Sequence, residues 1–255
     1  MKVRGIVATD PLHQFRIEQI VPLHLAGHDV SFTNSSLYMV VAAVLVTGLL
    51  VAGTASRALV PGRLQSVAEL LYEFVSGMVR DNAGAQARPY FPLVFSIFAF
   101  VLFGNMIGMV PGTFTFTSHI IVTFTLAALV FVFVTLVALI RHGFHFFSFF
   151  FPSGAPIALA PILIPIEIIS YLMRPVSLSI RLFANMMAGH TMLKVFAGFT
   201  ITMIGALGAV GWLAGAVPVA INVALIGFEI MVAFLQAYVF TILTCLYIRD
   251  AIELH

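Results

Sequence analysis

The chain has 255 residues, 61% of them hydrophobic and only 9% charged, with a mean hydropathy of +1.11. Soluble domains carry about 25% charged residues, so this composition belongs to an integral membrane protein. A formal net charge of +2 is too small to imply a nucleic-acid partner. The single cysteine, Cys245, excludes an internal disulfide and a cysteine-based metal site, and reads as a small buried hydrophobe.

Residues 1–36 are mixed in character. Leu12, Phe15, Ile17, Ile20 and Val21 fit either a short interfacial segment or a loosely ordered tail. The first long apolar run starts only at Leu37, so no cleavable signal peptide is expected. Residues 37–56 carry no charge and are long enough to span a bilayer core. Pro61-Gly62 marks a break. In residues 64–80, Leu64, Val67, Leu70, Leu71, Phe74, Val75 and Met78 recur at helical spacing, with Gln65, Glu69, Glu73 and Ser76 between them. This pattern predicts an amphipathic helix lying on the membrane surface. Between Phe91 and Ile140 there is no Asp, Glu, Lys or Arg, which allows two spans, 91–110 and 119–140, around a break near Pro111-Gly112.

Pro152, Pro156, Pro161 and Pro165 predict a re-entrant or loop segment over 146–165. Two long helices follow, over 165–200 and 218–249, with the glycine-rich stretch 205–215 as their turn. Their rise of about 48–54 Å exceeds a hydrocarbon core of ~30 Å, so they tilt strongly. The expected fold is an all-α polytopic membrane protein formed as a single domain over 1–255. It has about five membrane-embedded helices, one amphipathic surface helix and a terminal helical hairpin. Arg57, Arg63, Arg80, Arg88, Arg141 and Arg249 then share one side, which predicts a cytoplasmic C-terminus and an external N-terminus. No internal repeat of the kind that builds inverted-repeat transporters is evident.

The hairpin carries the chemistry. Ionisable side chains at membrane depth are expensive and are functional candidates by default. Glu167, Arg174 and Arg181 are spaced by seven and share a helix face within about 40°. Arg181 cannot shed its charge, so a carboxylate, water or a partner chain must compensate it. Ser170, Ser177, Ala184 and Ala188 form a stripe of small residues with Arg181, suited to close approach of another helix or to ordinary helix packing. Asn185 falls nearly on that face. His190 lies about 13 Å further along on the opposite side, and Glu167 about 21 Å back. On the second helix, Asn222, Glu229, Gln236 and Tyr247 fall near one face. Burial disfavours a charged carboxylate, so Glu229 is poised to exchange protons or else pairs with His190 or Lys194. Arg174 is expected to reach the membrane surface along its aliphatic stem.

The segment SLSIRLFANMMAGH at 177–190 resembles the signature of subunit a of the F-type ATP synthases, the stator half of a proton path against a rotating ring of c subunits. DPLHQF at 10–15 is similar to the N-terminus of α-proteobacterial members, and FGNMIGMVP at 103–111 to the family's segment at that place. His190 on the first long helix and Glu229 on the second resemble the mitochondrial order. Many bacterial members exchange these two, and some carry an acid where this chain has Gly108.

The resemblance implies that His190, Glu229, Asn185, Asn105 and Gln236 line or neighbour an external half-channel. Glu167, Ser170 and Tyr247 then belong to a cytoplasmic one, with Arg181 between the two. It implies a c-subunit ring, b-type peripheral stalk subunits and the remainder of the complex as partners, in a bacterial inner membrane. It implies no cofactor, no metal and no catalysis by this chain alone. No Gly-x-x-x-x-Gly-Lys-Ser/Thr, His-Glu-x-x-His or Gly-x-Ser-x-Gly sequence is present. The alternative reading is a self-contained ion transporter or channel, which needs a complete ion site within one chain.

Overall fold

The computed structural model describes residues 15–22, 24–25, 28–29, 31–55, 60–110, 112–151 and 159–253. The DPLHQF match up to residue 14, Arg57, Pro111, Pro152 and Pro156 lie outside them. Six α-helices carry the chain: α1 (Asn34–Ala55), α2 (Arg63–Ala83), α3 (Phe91–Gly108), α4 (Ile120–His142), α5 (Ala160–Leu207) and α6 (Ala209–Ile252). All of them except α2 are long and apolar enough to cross a membrane. In hydrocarbon each backbone N–H and C=O must be satisfied internally, which helices achieve. Helical hydroxyls obey the same rule. Thr47, Thr135, Thr191, Thr241 and Thr244 each donate to the carbonyl four residues back, at 2.7–2.9 Å.

Ahead of α1 the chain forms four short strands. β1 (Gln19–Val21) pairs antiparallel with β4 (Phe32–Thr33), and between them β2 (His24–Leu25) pairs with β3 (His28–Asp29). Asn34 ties this hairpin to the start of α1. Its Nδ2 donates to the Arg16 carbonyl at 3.1 Å, and its Oδ1 accepts from the N–H of Glu18 at 3.2 Å. Thr33 Oγ1 accepts from the Ser36 N–H at 3.3 Å, satisfying one of the donors that a helix start leaves free.

Helix α2 turns Leu64, Val67 and Leu70 outward and buries Ala68, Val75, Met78 and Val79 against its neighbours. Gly53 of α1 allows this contact, because a Cβ there would stand 2.8 Å from the Cβ of Ala68. The most enclosed helix is α3. Val94, Phe98, Val101 and Asn105 have no exposed surface, and they meet Leu182 and Met186 of α5 and Phe240 of α6 in one core.

Helices α5 and α6, of 48 and 44 residues, pack along each other. At 1.5 Å per residue they measure about 72 and 66 Å, more than twice a ~30 Å hydrocarbon core. Both are longer than the sequence suggests. Pro161 is absorbed at the start of α5, where its missing N–H has no helical partner to lose, and Pro165, Pro175 and Pro218 sit inside the two helices. The glycine-rich stretch is not a loop. Only Gly208 leaves the helix, at φ 55° and ψ −126°. Gly211 is helical, and a Cβ there would collide with the Met203 carbonyl, so only glycine fits this close to the turn.

At Gly208, alanine would be held in a backbone region reserved for glycine, whereas at Gly205 a Cβ meets nothing within 4 Å. Gly208→Ala should cost about 1–3 kcal/mol, while Gly205→Ala should be neutral or stabilise by up to about 1 kcal/mol. Thermal unfolding in detergent separates the two.

Candidate functional site

Buried polar side chains concentrate between α5, α6 and α3. His190 and Glu229 are 7% and 4% exposed, and His190 Nδ1 lies 3.0 Å from Glu229 Oε1. Of the two partners open to Glu229 in the sequence, the fold brings His190 within ion-pair distance. Gly189 makes this approach possible, because a Cβ at that position would lie 2.8 Å from Glu229 Oε1.

The other imidazole nitrogen, Nε2, lies 3.1 Å from Thr115 Oγ1. That hydroxyl also reaches the Gly108 carbonyl at 3.2 Å, and its single proton goes there, since a carbonyl can only accept. Nε2–H then donates to Thr115, and Nδ1 faces Glu229. The contact between Nδ1 and Oε1 holds one proton, as imidazolium with carboxylate or as imidazole with carboxylic acid. Gly108 adds a steric reason for its own identity: the space a side chain would fill is taken by Thr115.

A second pair follows one helical stretch away, where Asn185 Nδ2 donates to Gln236 Oε1 at 2.8 Å. Asn105, wholly buried in α3, donates to the Ala233 carbonyl of α6 at 3.2 Å. Further hydrogen-bonding capacity points into the same region. Asn105 Oδ1, Asn222 Oδ1, Gln236 Nε2 and Glu229 Oε2 are buried without a hydrogen-bond partner, while Glu229 Oε1 faces only His190. Between α5 and α6 lies a cavity of about 270 Å³ lined by Asn185, Ala188, Gly189, Glu229 and Gln236 among others. Five of the residues singled out in the sequence thus come together: His190, Glu229, Asn185, Gln236 and Asn105.

Arg181 stands outside this group, on the exposed side of α5, and Ser170, Ser177, Ala184 and Ala188 are exposed with it. Among the described residues no carboxylate reaches Arg181. Glu167 is half-buried two turns before Arg174. Arg174 is held by Asp250 of α6, next to the boundary residue Arg249, with Nη1 2.9 Å from Oδ2. The rings of Tyr247, Tyr171 and Phe149 close around its guanidinium at 5.1, 5.3 and 5.6 Å. Tyr247 therefore stacks on Arg174, and Tyr171 hydrogen-bonds Thr135 of α4 at 2.7 Å.

Sequence reasoning missed Thr115, Gly189, Asp250 and Phe15, whose ring lies 6.4 Å from that of His190. The polar residues that follow the Pro111-Gly112 break in the sequence are the signal that could have found Thr115. Asp250 is 76 residues from Arg174, so no local spacing connects them.

The arrangement defines a multi-pass membrane protein whose two longest helices enclose a file of proton-exchanging and hydrogen-bonding side chains. The sequence profile of a family described as ATP synthase A chain matches residues 36–249, and the chain belongs to that family. Similar proteins agree. The "ATP synthase subunit a" of Rhizobium etli is 55% identical, covering 97% of this chain and 98% of its own. That of Parvibaculum lavamentivorans is 55% identical over 98% and 95%. The Rhodospirillum rubrum protein is 55% identical over 96% and 99%.

A double-mutant cycle on Asn185→Ala and Gln236→Ala tests the second pair. Side-chain hydrogen bonds between membrane helices average about 0.6 kcal/mol, so a positive coupling near that size is expected in thermal stability. Additive single effects would show that the two side chains do not meet.

Proposed function

We propose that this chain is the proton-translocating stator subunit of the membrane sector of a rotary ATP synthase. The observation that carries this reading is the separation of Arg181 from the polar file. The uncompensated cation faces outward on a stripe of small residues, while the titratable pair of His190 and Glu229 is buried behind it and Asn185 lies between the two. A carboxylate for Arg181 is then supplied by a partner chain, the ring of c subunits, whose helices the stripe admits closely.

The file of His190, Glu229, Asn185, Gln236 and Asn105 forms the half-channel from the outer side. His190 and Glu229 exchange one proton, and the unpartnered buried oxygens and nitrogens around them bind the water that carries it onward. Glu167, Ser170 and Tyr247 belong to the half-channel from the cytoplasm. Tyr247, stacked on Arg174, lines that channel as part of the aromatic wall around the Arg174–Asp250 pair.

Arg181 divides the two. Its charge favours the ionised form of a ring carboxylate brought beside it, so the proton leaves before the site passes. The same charge repels a proton moving straight from one half-channel to the other. Rotation of the ring becomes the only connection between them. The chain catalyses no reaction alone. It works with the c ring, b-type peripheral stalk subunits and the rest of the complex. The cytoplasm lies on the side of Arg63, Arg80, Arg88, Arg141 and Arg249, which five spans bring to one face of a bacterial inner membrane.

The test is ATP-driven proton pumping in inverted vesicles with Arg181→Ala, with assembly of the complex measured in parallel. Assembly with pumping abolished is expected. Normal pumping by an assembled variant would remove the coupling role of Arg181. Gly189→Ala probes the proton pair without substituting either member. Its methyl displaces Glu229, and pumping should fall by at least about tenfold, equivalent to about 1.4 kcal/mol of barrier.

A further inference from the structure

On the side of the molecule that carries the boundary arginines, α2 ends, the chain reverses at Gly84 (φ 79°), and a 3₁₀ turn, Ala85–Tyr90, leads into α3. This corner encloses a cleft of about 600 Å³. Ser76, Arg80 and Arg88 form its polar wall; Val79, Phe91 and Pro92 form its apolar one. The Tyr72 ring meets Phe91 edge-on, with centroids 4.8 Å apart, and closes one end.

Both guanidiniums have unused capacity. Arg80 touches Asp81 through Nε alone, at 3.3 Å, with side chains 79% and 68% exposed, and such exposed pairs contribute little. Among the described residues Arg88 has no ion pair. The other acids of α2, Glu69 and Glu73, line a different cavity, between α1 and α2, so they do not neutralise this one.

We propose that this cleft binds the headgroup of an anionic phospholipid, with Arg80 and Arg88 holding the phosphodiester and Val79, Phe91 and Pro92 receiving the start of its acyl chains. Two observations favour a lipid over a soluble anion, and a third fits its phosphate. The cleft combines a cationic wall with an apolar wall, the two halves of an amphiphile. It lies at the depth of the headgroups, because α2 turns Leu64, Val67 and Leu70 toward hydrocarbon while its neighbours cross the membrane. The planar fork of arginine matches two phosphate oxygens at once, and basic pockets between helices at this level recognise anionic headgroups.

The experiment uses the whole complex in nanodiscs. A fluorophore is attached at Ala85→Cys in a complex otherwise free of accessible cysteine; Cys245 is fully buried and does not compete. Phosphatidylglycerol with brominated acyl chains should quench the label about tenfold more effectively, at equal mole fraction, than brominated phosphatidylcholine. Arg80→Gln with Arg88→Gln should erase that preference while ATP-driven pumping continues. Excess inorganic phosphate should leave the preference intact.

Equal quenching by the two lipids, or none by either, overturns the proposal. So does a preference that survives removal of both arginines. Abolition by inorganic phosphate would assign the cleft to a soluble anion and equally overturn it. The comparison of lipids in the unsubstituted arginine background decides the matter even if the double variant fails to assemble.

Discussion

Arg181 holds a charge that it cannot lose, on an exposed face of a membrane helix, with no acid among the described residues in ion-pair reach of it. The rest of the design accommodates that fact. The residues around it on α5 are small, so that a partner can come close. The acids of the described hairpin are kept elsewhere: Glu229 against His190, Asp250 against Arg174, and Glu167 far along the helix. An acid of the same chain at Arg181 would neutralise it and leave nothing for a moving partner to exchange with. The missing counter-charge is therefore the feature on which the proposed function depends.

Behind that face the protein handles polarity differently. A buried polar group without a partner costs about 1–3 kcal/mol, and in hydrocarbon there is no bulk water to relieve it. Most groups here are paired across helices: Asn185 with Gln236, Asn105 with a carbonyl of α6, Thr115 with His190 and Gly108. Among those left over, Asn222, Glu229 and Gln236 fall near one face of α6, and Asn105 of α3 is hydrogen-bonded to α6 at Ala233; others, on Ser35, Gln65, Thr117, Ser118 and His119, lie elsewhere. Unmet hydrogen-bonding capacity beside the His190–Glu229 pair is what a path for protons and water requires.

Small residues set the geometry. Gly53 brings α2 onto α1, Gly104 leaves room for the Phe116 ring, Gly108 admits Thr115, and Gly189 admits the Glu229 carboxylate. Each is a close approach that a methyl group would prevent. The ion pair of Arg174 with Asp250, enclosed by three aromatic rings, joins the two long helices near the opposite end from Gly208. The hairpin is thereby held at both ends, and the polar file lies between.

Much of this was legible in the chain itself. The count of spans, the surface placement of α2 and the face shared by Glu229 and Gln236 follow from hydrophobic runs and from a 100° step per residue. These are local properties that tertiary structure rarely overrides in a membrane. The opposition of Arg181 and His190 on α5 follows from the same arithmetic. Partnerships between helices were out of reach. Asp250 and Arg174, Thr115 and His190, and the contact of His190 with Glu229 depend on how helices far apart in sequence are rotated and staggered. The hairpin turn falls within the expected 205–215, but its narrowness was not legible, for a related reason. Glycine leaves a helix only where packing asks it to, and Gly205, Gly211 and Gly215 stay helical while Gly208 turns. The sequence by itself determined which segments enter the membrane and which faces are polar, because both are set residue by residue. Which polar group meets which was decided only when the helices packed, because that is a property of pairs.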